Sequence, residues 1–102
     1  MRMCITEHAI DSYRERVAED IFRETRPDSE ICRILRNSAE AAHLESLLNE
    51  GFNHQRRKIM TVRIPINERD HPLGVYRAKV RKRRGKGRET YVLITLIPPY
   101  YS

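Results

Sequence analysis

Cysteine is scarce in this chain, and long apolar runs are missing. The 102 residues include two cysteines, Cys4 and Cys32, too few for a disulfide scaffold, so both are expected as free thiols in a reducing compartment. No stretch of about 18 apolar residues occurs, which excludes a membrane-spanning helix. The opening Met-Arg-Met-Cys-Ile-Thr-Glu-His lacks the apolar segment of a signal peptide, and a cytoplasmic protein is expected. A Gly-rich phosphate loop, a paired-carboxylate site and a serine-nucleophile motif are all absent. Ligand-spaced metal pairs are absent too. Cys4 and His8 are separated by three residues and Cys32, His43, His54 and His71 are scattered, without a CxxC or HxxxH pair. No metal or other cofactor is expected.

What the chain has is charge, unevenly placed. The total is 20 Lys+Arg against 14 Asp+Glu, a net +6. Residues 1–51 carry 7 basic and 11 acidic side chains, a net −4, whereas residues 52–102 carry 13 and 3, a net +10. At this length one domain over 1–102 is expected, with a modest single core. Its second half should meet an anionic partner.

The two halves also differ in period. Thr6 is placed as a helix N-cap, with Glu7 in the first turn and Ile5 and Ile10 at staple positions. Ile10, Tyr13, Val17 and Ile21 recur at helical spacing, and Pro27 ends the segment. Asp28 or Ser29 should cap a second helix along Ile31, Ile34 and Leu35. Residues 28–50 read as one helix or two; the apolar stripe changes phase across Ser38, which favours two, with Ser38 capping the third helix and Gly51 as its stop.

Strand-like alternation follows. Met60, Val62, Ile64 and Ile66 alternate with Thr61, Arg63 and Pro65, and Pro65 favours a sheet edge because it donates no ladder hydrogen bond. Asn67 to Gly74 reads as a polar connection. Tyr76, Ala78 and Val80 then share one face of a strand, opposite Arg77, Lys79 and Arg81. The near-continuous apolar run Tyr91–Ile97 should be the most buried strand. The expected fold is α+β, with N-terminal helices (1–51) packed on a three-stranded antiparallel β-meander (52–102).

Residues 81–88 hold six cations in eight positions, at the tip expected between the second and third strands. Phosphates relieve such repulsion, and each contact releases counterions. Arg81, Lys82, Arg83, Arg84, Lys86 and Arg88 are therefore candidate nucleic-acid contacts. Arg77 and Lys79 extend the stripe along one strand, and Arg56, Arg57 and Lys58 lead into another. Tyr76 and Tyr91 are placed either on that face as stacking aromatics or in the core. The other reading is a non-enzymatic phage or mobile-element accessory protein. Its basic hairpin would dock on an acidic protein surface, and Pro98-Pro99-Tyr100-Tyr101-Ser102 would anchor a partner or a homodimer.

His8 stands in the first helical turn, with Arg14 and Arg16 further along. A neutral imidazole that accepts a proton, beside an arginine that stabilises charge on phosphorus, suits RNA cleavage by the 2′-hydroxyl. A capping-turn histidine among helix ion pairs is the simpler alternative. The run Ile5-Thr6-Glu7-His8-Ala9 with Arg14-x-Arg16-Val17 resembles the T-x-H-A…R…R helix of small bacterial and phage domains of unknown function near the BrnT and RelE toxins. The resemblance implies helices over one face of an antiparallel sheet. For the toxin members it implies metal-independent RNA cleavage and neutralisation by an antitoxin partner, and it makes His8, Arg14 and Arg16 the catalytic candidates.

Overall fold

The computed structural model describes residues 2–16, 26–54, 58–68, 71–84 and 89–97. In chain order these form β1 (Met3–Ile5), α1 (Glu7–Arg16), α2 (Asp28–Ala41), α3 (Leu44–His54), β2 (Ile59–Glu68), β3 (His71–Arg84) and β4 (Glu89–Ile97). The class is α+β, as expected. The sheet is not the expected three-stranded antiparallel meander: it has four strands in the order β1-β4-β3-β2, with β1 parallel to β4. Three residues are too few to show a period-two pattern, so β1 leaves no local signal. Its existence depends on a partner almost the whole chain away. Met3 lies opposite Tyr91 and Ile5 opposite Leu93, and the Tyr91 N–H donates to the Arg2 carbonyl at 3.0 Å.

Thr6 converts this strand into a helix. Its Oγ1 accepts the Ala9 N–H at 3.0 Å, the expected N-cap bond. The same hydroxyl lies 3.0 Å from the Leu93 carbonyl and 2.9 Å from that of Ile94, to which it donates. One side chain thus caps α1 and ties it to β4. Ser12, buried on the same helix, donates to the Ala9 carbonyl and accepts the Leu96 N–H at 3.1 Å. Thr6→Val should cost about 1–2 kcal/mol, since it removes a cap and a part-buried carbonyl's donor together. Urea unfolding measures this, and a loss of only a few tenths would remove Thr6 from the junction.

The helices depart from expectation at three points. Neither Asp28 nor Ser29 caps α2. Pro27 occupies the cap position in extended conformation (φ −66°, ψ 152°), no side chain caps the helix, and Asp28 sits in the first turn. The break expected at Ser38 falls instead at Ala42-His43, while Ser38 is buried inside α2. The Ala42 and His43 N–H groups close onto the Ser38 and Glu40 carbonyls, and His43 takes φ 53°. That left-handed conformation turns the chain without a glycine. Gly51, expected as a stop, lies inside α3. A Cβ there would sit 2.0 Å from the Met60 Sδ, so the end of that flexible side chain, which packs on the helix at Gly51, would have to shift. Val17 and Ile21 lie outside the described residues.

The strands follow their alternation more closely. Met60, Val62, Ile64 and Ile66 are buried, as are Tyr76, Ala78 and Val80, while Thr61, Arg63 and Pro65 are exposed on the edge strand β2. β4, between β1 and β3, buries five of its nine residues. Asn67–Gly74 is not the expected connection. After a bulge at Ile66/Asn67, Asn67 pairs with Pro72 and Glu68 with His71, so the ladder extends into this polar stretch as far as Glu68 and His71. Pairing to a neighbouring strand overrides a turn-like composition there, and Gly74 (φ 130°) absorbs the irregularity. Both cysteines are free thiols: Cys4 is exposed, and Cys32 is half-buried against the core.

Candidate nucleic-acid interface on the open sheet face

The helices and the sheet's inner face share one apolar cluster, and among the described residues no helix covers the opposite side of β2 and β3. Alternation along β3 sends Arg77, Lys79, Arg81 and Arg83 to this open side. Register adds a fifth cation. Arg63 of β2 lies directly opposite Arg77, with Thr61 opposite Lys79 and Ile59 opposite Arg81. On β4, Thr90 lies opposite Arg83 and Val92 opposite Arg81. Val92 and Thr95 are buried there, and Val92 is outside the core cluster, so the accessible part of this face belongs to β2 and β3.

Alternate residues of a strand repeat at about 6.8 Å and neighbouring strands lie about 4.8 Å apart, so Arg77 to Arg83 draws a cationic line about 20 Å long with Arg63 at its side. Arg63, Lys79, Arg81 and Arg83 are exposed and make no ion pair or side-chain hydrogen bond among the described residues, while Arg77 is half-buried. Segments 59–66, 75–83 and 90–97 contain no Asp or Glu. Like charges directly opposed across strands cost about 0.2–1 kcal/mol, and Arg63 and Arg77 are one such pair.

The remaining sequence candidates divide. Lys58 is exposed just before β2. Lys82 belongs to the other face and donates to Asn53 Oδ1 of α3 at 2.7 Å. Arg56, Arg57, Lys86 and Arg88, the side chain of Arg84, and the tail from Pro98 to Ser102 lie outside the described residues. Tyr76 and Tyr91 are core residues. Tyr91 stacks on Phe52 with centroids 5.9 Å apart, and its hydroxyl meets Asn49. Sequence reasoning missed Arg63 as a site residue. Its alternation placed it towards solvent, but only the β2–β3 register sets it beside Arg77.

The helix candidates are not gathered into one place. His8 is exposed in the first turn of α1. Six residues further on, Arg14 is about 9 Å along the axis and about 120° around it. Its Nη2 is 2.7 Å from Asp28 Oδ1 and donates to the Arg26 carbonyl at 2.6 Å. Arg16 donates through Nη1 to the Leu96 carbonyl. Both guanidinium groups thus fasten α1 to α2 and β4.

Set against protein-family models, curated proteins and solved structures, the chain matches none. The open face itself therefore carries the functional argument. Among the described residues no three His, Cys, Asp or Glu side chains cluster as metal ligands, and no helix is long and apolar enough to cross a membrane. A cavity of about 180 Å³ at the α2–α3 corner, lined by Glu40, His43 and Glu45 among others, is on the helical side, away from the cations.

Proposed function

We propose that this protein binds RNA by laying its open sheet face along the phosphate backbone. The observation that carries this reading is the acid-free line Arg77, Lys79, Arg81 and Arg83 with Arg63 beside it. Four of the five cations are arginines, whose planar fork takes two oxygens of one phosphate. Thr61 and Thr90 stand opposite Lys79 and Arg83 in the strand register and offer hydroxyls to RNA 2′-hydroxyl groups. An acidic protein partner is the weaker reading. Protein interfaces are depleted of charge at their centre, whereas the apolar side chains here, Ile59 and Val75, flank the cations. The reading is one of binding. Cleavage would rest on His8, the one helix candidate without an anchoring contact among those described.

Four to five phosphate contacts should give a slope of about −3 to −4 for log affinity against log salt. Between 50 and 200 mM salt, binding of a labelled RNA should therefore fall on the order of a hundredfold. Fluorescence anisotropy across that range measures it. Absent binding at low salt, or binding indifferent to salt, overturns the proposal.

A further inference from the structure

We infer that the RNA held on this face is double-helical and is held by its sugar–phosphate backbone irrespective of base sequence. This rests on the RNA-binding reading and specifies its substrate class.

The first support is the placement of the aromatics. Proteins that hold single strands without sequence preference combine a basic groove with aromatic rings on which successive bases stack. Tyr13, Phe52, Tyr76 and Tyr91 are each at most 8% exposed, so every aromatic among the described residues is spent in the core. Among the described residues the face offers charge without a stacking platform.

The second is the lack of side chains that read adenine or cytosine edges. Segments 59–66, 75–83 and 90–97 contain no Asn, Gln, Asp or Glu, the side chains that pair with adenine or cytosine edges. What the face presents is arginine, lysine and threonine hydroxyl, suited to phosphate oxygens and 2′-hydroxyls.

The third is rigidity. The cations stand on paired strands at fixed spacing, and β3 is hydrogen-bonded on both sides. A duplex presents its phosphates at fixed spacing as well, so little ordering is needed on either side. A single strand would have to be ordered against the same array, with no stacking to offset the lost freedom. The minor groove of an A-form helix is wide and shallow and displays 2′-hydroxyls and phosphates, which a flat strand pair can approach.

The test compares a blunt 20-base-pair RNA duplex, a second duplex of unrelated sequence, and the unstructured component strands, by anisotropy with the full chain at 100 mM salt. The expected result is a duplex bound about tenfold more tightly than either strand, with the two duplexes within about threefold of each other. Single strands bound as tightly as duplex, or a tenfold difference between the duplexes, overturns this inference while leaving RNA binding in place. Binding of neither form is a separate outcome: it removes the RNA-binding reading, and this inference with it.

Discussion

Replacing Arg63, Lys79 and Arg81 together with Gln should weaken RNA binding on the order of a hundredfold at 100 mM salt. Each phosphate contact contributes about 0.7–0.9 to the salt exponent, so three lost contacts reduce the slope by about 2–3. Lys82→Gln separates location from net charge. Lys82 belongs to the helix side and bonds Asn53, so its loss should change RNA affinity by less than about threefold. Equal effects per charge from Lys82 and Lys79 would show that total charge, and not the open face, does the binding. The triple variant should also remain folded. Arg63 lies opposite Arg77 across the β2–β3 ladder, and neutralising Arg63 relieves repulsion between the two. A thermal melt no lower than that of the unsubstituted protein, together with lost affinity, is the combined result to look for.

The second large effect concerns stability. Leu93→Ala should cost about 2–5 kcal/mol, a substantial part of the 5–15 kcal/mol typical of a whole domain. Leu93 is fully buried and lies between Ile5 on β1 and Val80 on β3. Its carbonyl accepts the Thr6 N–H at 3.2 Å and is one of the two that the Thr6 hydroxyl meets. Truncation leaves a cavity where sheet, first strand and first helix converge, and neighbours on three sides limit collapse into it. For a chain of this size the melting temperature should fall by about 10–20 °C. A urea titration gives the same quantity at fixed temperature, and a loss below about 1 kcal/mol would contradict this view of the core. Well below its melting temperature the variant should still bind RNA normally, because Leu93 faces away from the cations.

These two positions show how unevenly the molecule could be read in advance. The start of α1 at Thr6, the inward set Met60, Val62, Ile64 and Ile66, the burial of the last strand and the edge placement of Pro65 all follow from local pattern. Each depends on a preference that acts within a few residues. The features that escaped depend on distant partners. β1 exists because β4 lies beside it. Gly51 continues a helix that packs on Met60 of β2. Asn67 and Glu68 pair with Pro72 and His71 because β2 and β3 keep their ladder beyond a bulge. Ser38 looks like a cap in sequence, yet it is buried within a continuing helix whose reversal at His43 carries no glycine signal.

The candidate site divides in the same way. By itself the sequence determined the α+β class, the core-facing residues of the strands and the basic character of the second half. Alternation and composition need no knowledge of the fold. It also marked Arg77, Lys79 and Arg81 as one face of one strand. Only the tertiary structure decided that Arg63 joins them, that Lys82 turns to the helices, and that Arg14 and Arg16 act as fasteners of α1. It also made the acidic half of the chain supply the helices over one sheet face, while the cations line the other. Strand register and helix docking decide such matters, and both are set by hydrogen bonds and packing between residues far apart in the chain.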